Sequence, residues 1–453
     1  MRLIREEKTF IREAVLLMLP MILQNFVTFS MSMADTFMVG VLGETALAAV
    51  TMANSPFYVM QLMIFGVQSG MSVLVAQYHG RGDQEAINRV MGIALFVSTT
   101  ITGLLAITAF CIPEQIMRVL TNNAVLVAPG AAYTRYVGFS YFFSAISGVY
   151  IAAQRSTENP RLGAALLTVS GVLNIFLNWV LIYGKLGAPG LGCAGAAVAT
   201  VISQVASCAF VLCVLFGKHI EVPITFGGYD LKVIGRVTSI GMSAFLIILF
   251  DNVMLISLNM MLQRYGGDNS DMLLTCNTIV QSFELLITMP LGGLTMGTQT
   301  ILGYNLGARR PEKILRAQRY IFVIAVSFCA LMTLAAQTIP HLFAGIFTKE
   351  PEYIAMTAQL IRIYTLGTVF LGMQYEIVDG FTGMGVVKIA LPLSVFRKVV
   401  FFACIFILPR FLPIEQIFFC EPISDIFPPL VSILVYALTI KRVINRGPQK
   451  QTA

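Results

Sequence analysis

The sequence predicts an all-α integral membrane protein with 12 transmembrane helices in two parallel six-helix bundles. Three observations predict this fold: an apolar composition, 12 long apolar segments and an internal repeat. Of the 453 residues, 57% are apolar and only 12% are charged, whereas soluble domains carry about 25% charged residues. So little charge cannot cover the surface of a soluble protein, which excludes a water-soluble enzyme and a disordered chain.

A helix that crosses a bilayer needs about 20 mostly apolar residues. Short loops separate 12 such segments, at 14–39, 46–76, 90–112, 131–153, 163–184, 191–216, 238–263, 273–302, 317–339, 354–380, 386–408 and 415–440. These segments leave no room for a soluble domain. No small-residue cleavage site follows the charged N-terminal residues, so we expect the first helix to be retained.

The basic residues predict the orientation, because cytoplasmic loops carry an excess of Lys and Arg. With the N-terminus inside, 21 of the 30 Lys and Arg residues fall in cytoplasmic loops, 5 in outer loops and 4 within spans. We therefore expect a multi-pass protein of the cell membrane with both termini in the cytoplasm. The same excess accounts for the net charge of +7 without a nucleic-acid partner.

The second half of the chain repeats the first at one constant spacing, which aligns Gly66 with Gly293. We call this spacing the repeat offset. It also pairs identical residues elsewhere, among them Gly70 with Gly297, Pro113 with Pro340 and Arg135 with Arg362. Each repeat contains six spans, an even number, so both copies enter the membrane in the same direction and form parallel repeats. We expect an N-terminal lobe at 1–216, a cytoplasmic linker at 217–235 and a C-terminal lobe at 236–453.

Four sets of motifs carry a resemblance to a known family. They are DTFMVGVLG at 35–43 with ALAAV at 46–50, AQYHGRGD at 76–83 with GYNLGA at 303–308, QRSTENP at 154–160 with FTGMG at 381–385, and NIFLN at 174–178 with GCAGAAVAT at 192–200. In order and spacing they resemble the multidrug and toxic compound extrusion (MATE) family of the MOP flippase superfamily. The resemblance covers essentially the whole chain.

The resemblance implies a secondary active antiporter that exports organic, cationic, multidrug-type compounds in exchange for Na⁺ or H⁺ by alternating access. A flippase or exporter of a lipid-linked or polysaccharide precursor is the alternative within the superfamily. We expect Na⁺ or H⁺ as the coupling ion and no cofactor. The expected partners are a small organic molecule and the lipid bilayer, and we expect the protein to be a monomer. The chain lacks HExxH, GxSxG in a span and a Walker A motif, so we do not expect an enzyme or direct use of ATP.

Acids within the predicted spans are the candidate functional groups, because an ionisable residue in a bilayer is costly and marks an ion or substrate path. Asp35 lies near the outer end of the first span, where it either binds a proton or Na⁺ or lies in water at the interface. Asn174 and Asn178 are one helical turn apart and share a face. They are candidate coupling residues that either supply oxygen ligands or hydrogen bonds to Asp35 or only hydrogen-bond between helices. The resemblance places an Asp at the second position, so Asn178 removes one charge from this site.

The second repeat carries Asp251 and Glu284 as candidate coupling residues. At the repeat offset, Asp251 pairs with Gln24 and Asn252 with Asn25. We predict that the substrate cavity is lined by polar residues of both repeats: Gln24, Asn25, Asn252, Gln281 and Glu376. No metal site is expected beyond Na⁺ at Asp35 or Asp251, since the chain has three histidines and no CxxC motif.

Charged residues of the last spans either bind a proton or cation or form structural ion pairs. Glu376 and Asp379 share a helix face, where they repel unless a proton or cation intervenes. Glu421 and Asp425 are one turn apart, and Arg397 with Lys398 are the counter-charges expected for them in a structural ion pair. The eight cysteines are interpreted as small buried or lipid-facing side chains.

Overall fold

The computed structural model describes residues 2–121, 123–157, 160–215 and 231–446. Within these ranges the chain forms α-helices, short 3-10 helices and turns, with no strand, which confirms the all-α prediction. The first half contains α1 (Arg2–Gly40), α2 (Glu44–Arg81), α3 (Gln84–Cys111), α4 (Pro113–Leu120), α5 (Ala124–Ser156), α6 (Pro160–Tyr183) and α7 (Cys193–Leu215).

The second half has the same sequence of elements with one long helix broken in two. It contains α8 (Leu231–Tyr265), α9 (Ser270–Gly307), α10 (Pro311–Thr338), α11 (Pro340–Phe347), α12 (Pro351–Tyr364), α13 (Thr368–Gly383), α14 (Val387–Ile407) and α15 (Cys420–Arg446). A 3-10 turn at Thr365–Gly367 separates α12 from α13. The single helix α5 is their counterpart in the first half.

Residues at the helix ends explain several of these boundaries. α4 and α11 both begin with proline, whose missing N–H costs nothing in the first turn of a helix. α3 is capped by the Asp83 carboxylate, which accepts a hydrogen bond of 3.0 Å from the Ala86 amide. α2 ends at Gly82, whose φ of 72° lies in the left-handed region that favours glycine.

The internal repeat is visible in the helix boundaries. Five helices of the first half begin at residues that the repeat offset aligns with the first residue of a helix in the second half. The pairs are α3 with α10, α4 with α11, α5 with α12, α6 with α14 and α7 with α15. The two halves of the sequence therefore fold into equivalent sets of helices.

Eleven helical segments among the described residues are long and apolar enough to cross a membrane. α1, with 39 residues, lies outside this set. The protein is thus an integral membrane protein of many spans, as the composition predicts. The count of 12 spans and their arrangement in bundles stay predictions.

The chain folds into two compact units. One consists of Leu23–Phe245 and the other of Met1–Ile22 together with Leu246–Ala453. We call them the N-terminal and the C-terminal unit. Most of the predicted linker at 217–235, namely 217–230, lies outside the described residues, as do positions 158–159 of the QRSTENP motif.

Within the N-terminal unit, glycines allow α2 and the first half of α8 to touch. A Cβ atom on Gly70 would lie 2.1 Å from the Val237 carbonyl oxygen. A Cβ on Gly66 would lie 2.7 Å from the Gly241 carbonyl oxygen, and one on Gly241 would lie 2.4 Å from the Gly66 oxygen. Small residues are common where membrane helices pack backbone to backbone, and here larger side chains do not fit.

All eight cysteines are unpaired thiols. Four of them are buried: Cys208, Cys276, Cys329 and Cys420. These four pack as small apolar side chains, in agreement with the interpretation from sequence.

Candidate functional site

The N-terminal unit contains a cavity of about 700 Å³ between α1, α2, α5, α6 and α7. Four of the residues predicted as functional line it: Gln24, Asn25, Asp35 and Asn174. Asn178 is fully buried behind this wall. The structure therefore brings together the predicted acid of α1 and the paired asparagines of α6.

A chain of hydrogen bonds joins these residues. The Asn178 amide donates to Asp35 Oδ1 at 2.5 Å and to Asn174 Oδ1 at 3.2 Å. The Asn174 amide in turn donates to Thr200 Oγ1 at 3.3 Å and Ser203 Oγ at 3.4 Å. We call these five residues the helix-1 network. Its geometry follows from the one-turn spacing on α6, which points both asparagines at α1 and α7.

The helix-1 network contains one carboxylate surrounded by neutral groups. Among the side chains that the structure describes, no Lys, Arg or His lies within ion-pair distance of Asp35. The Asn178 Oδ1 atom is buried and has no hydrogen-bond partner. A half-buried acid with no counter-charge and a nearby unused oxygen is suited to hold a proton or a small cation.

Aromatic hydroxyls hold the helices around Asp35. Tyr133 donates a hydrogen bond of 3.2 Å to Asn54 Oδ1, and Tyr183 donates one of 2.8 Å to the Met38 carbonyl oxygen. Sequence reasoning missed these tyrosines, and it also missed Thr200 and Ser203. Contacts between helices leave no local pattern in the sequence, so nothing within a single helix pointed to them.

The C-terminal unit has a second, smaller cavity of about 310 Å³. Asp251 and Asn252 of α8 line it together with Gln281 and Glu284 of α9. The repeat offset aligns Asp251 and Asn252 with Gln24 and Asn25, which line the larger cavity. Equivalent positions of the two repeats thus face a cavity in each unit.

Buried ion pairs form one wall of the smaller cavity. The Arg397 guanidinium contacts Glu421 Oε1 at 2.6 Å and Asp425 Oδ1 at 2.8 Å, with all three side chains nearly inaccessible. Lys398 does not join them but pairs with Asp251. Consecutive residues of a helix point about 100° apart, and in this structure Arg397 and Lys398 contact different acids. The expected pairing is correct for Arg397 and wrong for Lys398.

Glu284 lines the same cavity and hydrogen-bonds to a neutral partner. The Tyr364 hydroxyl donates to Glu284 Oε2 at 2.9 Å and accepts from Gln281 Nε2 at 3.0 Å. In the part of the chain that the structure describes, no basic side chain lies within ion-pair distance of Glu284. Tyr364 was not identified from the sequence, because its counterpart in the first repeat is Val137.

Glu376 and Asp379 lie apart from both cavities. Glu376 is fully buried and accepts a hydrogen bond of 2.6 Å from the Thr298 hydroxyl. Asp379 Oδ1 accepts one of 2.7 Å from the Gln299 amide. The structure therefore places Glu376 in the packing of α9 against α13, away from the residues with which it was grouped.

The two cavities are not chemical copies of each other. The second repeat has three apolar residues at the positions equivalent to the acid and the asparagines of the helix-1 network: Leu262, Phe401 and Ile405. Conversely, the counterparts of the ion-paired residues 397 and 398 are Ser170 and Gly171. Each unit therefore has its own set of charged groups on a shared scaffold. No group of three His, Cys, Asp or Glu that could hold a metal lies among the described residues.

Many long apolar helices, and a cavity lined by at least one acid in each unit, fit a membrane transporter. The sequence profile of the MatE family matches residues 20–180 and 243–407. The chain belongs to the MatE family. The resemblance seen in its motifs is thereby confirmed.

Known proteins of similar sequence and structure agree with this assignment. A probable multidrug resistance protein NorM of Thermotoga maritima is 24% identical over 392 residues, which cover 84% of this chain and 82% of that protein. A MOP superfamily transporter from Pyrococcus furiosus has a TM-score of 0.85 at 22% identity and covers 95% of this chain and 96% of its own. An outward-facing multidrug resistance MATE family transporter gives 0.86 at 22% identity, with 96% of both chains covered. These structures share the fold of this chain.

Proposed function

We propose that the protein is a secondary active antiporter that exports organic cations in exchange for Na⁺ or H⁺. One observation carries the proposal: the Asp35 carboxylate faces a cavity of about 700 Å³ and has a neutral amide as its hydrogen-bond partner. The named relatives, which include multidrug resistance proteins, support a substrate of the same kind.

The chemistry of Asp35 follows from its surroundings. A carboxylate held away from bulk water without a counter-charge is stabilised by a proton or by a cation. Hard cations prefer oxygen ligands, and the helix-1 network offers carboxylate, amide and hydroxyl oxygens. With Asn178 in place of a second acid, the network holds one monovalent ion at most before its charge is neutral.

Export requires that binding of the ion weakens binding of the organic cation in the cavity. A cationic compound in the larger cavity is attracted by the Asp35 charge, and a proton or Na⁺ on Asp35 removes that attraction. An inward gradient of the ion therefore favours release of the compound to the outside. In this proposal the lobes 1–216 and 236–453 alternate access about the linker, and the protein works as a monomer with both termini in the cytoplasm of the cell.

One feature of the larger cavity favours the alternative, a flippase or exporter of a lipid-linked or polysaccharide precursor. Of its 35 lining residues, 22 have polar or charged side chains, including seven Asn or Gln and ten Ser or Thr. Arg155 also lines it, and arginine is the preferred partner of phosphate groups. Such a wall suits a hydroxyl-rich, anionic molecule as well as a cation.

Efflux in reconstituted vesicles separates these functions. The purified full-length protein is placed in liposomes, and ethidium transport is followed under a pH gradient or a Na⁺ gradient imposed separately. We expect one gradient to drive ethidium transport and Asp35→Asn to abolish it while the protein still inserts and folds. Lys388→Met, a substitution at an exposed position elsewhere in the chain, is the control and should transport as the wild type. Wild-type rates from Asp35→Asn would show that Asp35 is not the coupling acid, and failure of both gradients would favour the alternative.

A further inference from the structure

The smaller cavity contains more acid than base. Asp251, Glu284 and Glu421 line it, and Asp425, one turn from Glu421 on α15, contacts the same Arg397. Arg397 and Lys398 are the basic residues paired with these acids. Arg397 is shared by two acids, so the group as a whole has room for further positive charge.

We propose that Lys398 is a tethered counter-cation that competes with the ammonium group of an exported organic amine for Asp251. The amine enters the smaller cavity, binds the cavity-facing carboxylate of Asp251 and displaces the Lys398 ammonium. The return of Lys398 to Asp251 then expels the amine. The proposal rests on the transport function proposed above and adds a second binding site with its own substrate class.

The exposure of the two partners supports this exchange. The Lys398 side chain is only 4% exposed, whereas that of Asp251 is 39% exposed and lines the cavity. Lys398 therefore contacts Asp251 from the protein side, and the remaining carboxylate surface is open to a molecule in the cavity. A ligand does not have to pass Lys398 to reach Asp251.

The chemistry of lysine also suits it better than arginine for this role. Arg397 is fixed in a fork between Glu421 and Asp425 by two short hydrogen bonds. Lys398 has a single point charge on a flexible four-carbon stem, and its ammonium group is chemically the same as the proposed ligand. An internal copy of the ligand's charged group is a competitor at the site.

Two other acids can balance the charge of Lys398 when it leaves Asp251. Glu421 and Asp425 share one guanidinium, so one negative charge stays unbalanced between them when both acids are ionised. Lys398 already lies close enough to both acids to interact with them electrostatically. In the proposal, a move of the side chain toward these acids keeps its charge balanced in the low-dielectric interior, where an unpaired charge is costly.

A second cavity-lining acid completes the proposed site. Glu284 faces the same cavity with the Tyr364 hydroxyl as its partner and no basic residue in contact, within the described chain. Glu284 therefore offers the ligand a second carboxylate in the same cavity. The cavity volume of about 310 Å³ limits the ligand to a small or slender amine. The first repeat has Gln24 and Gly171 at the positions of Asp251 and Lys398, so the exchange belongs to one unit only.

Equilibrium binding tests the competition directly. The full-length protein in lipid nanodiscs is titrated with tetraethylammonium, a permanently charged cation that cannot act through a proton. Lys398→Met keeps the length of the side chain and removes its charge. We expect it to bind the probe at least about tenfold more tightly than the wild type, a difference of about 1.4 kcal/mol. Lys388→Met, which removes the same charge at an exposed position of the same helix, should bind as the wild type.

Two further variants complete the test. Asp251→Asn combined with Lys398→Met should lose the gain in affinity, because the receiving carboxylate is gone. If Lys398→Met does not fold, Lys398→Gln takes its place with the same expected outcomes. A folded Lys398 variant with wild-type affinity would overturn the proposal and assign the pair a structural role.

Transport kinetics provide the second readout. Without the internal competitor the substrate binds more tightly but leaves more slowly, so Lys398→Met should lower both KM and kcat for amine efflux. A structural role would lower kcat without lowering KM, which contradicts the exchange. The binding measurement needs no ion gradient. A failure of antiport with an intact affinity gain would therefore count against the proposed function and leave the binding site in place.

Discussion

Replacement of Arg397 by methionine should destabilise the C-terminal unit strongly. Arg397 is the buried counter-charge of two acids one helical turn apart on α15. Its side chain is 6% exposed, and those of Glu421 and Asp425 are 4% and 2% exposed. Methionine fills much of the same volume but leaves both carboxylates without a partner in an environment that excludes water.

The magnitude follows from the cost of an unpaired buried charge. Removal of one partner of a buried ion pair typically costs about 3–5 kcal/mol of unfolding free energy. Here two charge-assisted hydrogen bonds, of 2.6 and 2.8 Å, are lost at once. Protonation of one acid limits the loss, so we expect a value near the lower end of the range, about 3 kcal/mol.

Denaturant unfolding in detergent measures this change, followed by circular dichroism of the purified protein. The control is Lys388→Met, which removes a positive charge at an exposed position of α14 and should change stability by less than about 0.5 kcal/mol. A triple variant, Arg397→Met with Glu421→Gln and Asp425→Asn, should recover most of the loss because no buried charge then remains unpaired. Wild-type stability of Arg397→Met alone would refute the view that these ion pairs are buried and coupled.

Two further predictions concern the N-terminal unit. Gly70→Ala should lower stability by about 1–3 kcal/mol in thermal unfolding, because its Cβ would lie 2.1 Å from the Val237 carbonyl oxygen. Gly235→Ala should be neutral or stabilising in that measurement, since no atom of the described residues lies within 4 Å of its Cβ. Equal effects of the two changes would contradict the close contact of α2 with α8. Asn178→Asp should bind Na⁺ at least ~10-fold more tightly than the wild type at alkaline pH in a calorimetric titration, because two touching carboxylates require a cation between them. Unchanged Na⁺ binding would show that Asn178 and Asp35 are not in contact.

The fold was largely predictable from the sequence, because its determinants are repeated many times along the chain. The repeat offset, first seen in glycine and proline pairs, reappears in the starting residues of five pairs of helices. The break between α12 and α13 was not predictable, since the apolar pattern continues through Thr365–Gly367. There, a Cβ on Gly367 would lie 2.4 Å from the Asp425 Cβ, so the break is determined by packing between helices.

The candidate sites were predictable in their acids and not in their partners. A carboxyl group within an apolar segment is conspicuous in the sequence, and this identified Asp35, Asp251 and Glu284. Their contacts join helices far apart in the chain: Asp35 to Asn178, and Asp251 to Lys398. Such pairs depend on how each helix is rotated about its own axis. The spacing of residues within one helix does not predict this rotation.

Ion movement coupled to substrate movement tests the central claim, that the Asp35 carboxylate carries the coupling ion. Vesicles containing the full-length protein are prepared without any imposed gradient, ethidium is added on one side, and the movement of H⁺ and of Na⁺ is recorded with indicators for each ion. We predict that ethidium transport by the wild type drives one of the two ions in the opposite direction, and that Asp35→Asn moves neither ion. Ethidium transport with no ion movement, or unchanged ion movement in Asp35→Asn, would show that Asp35 does not carry a coupling ion.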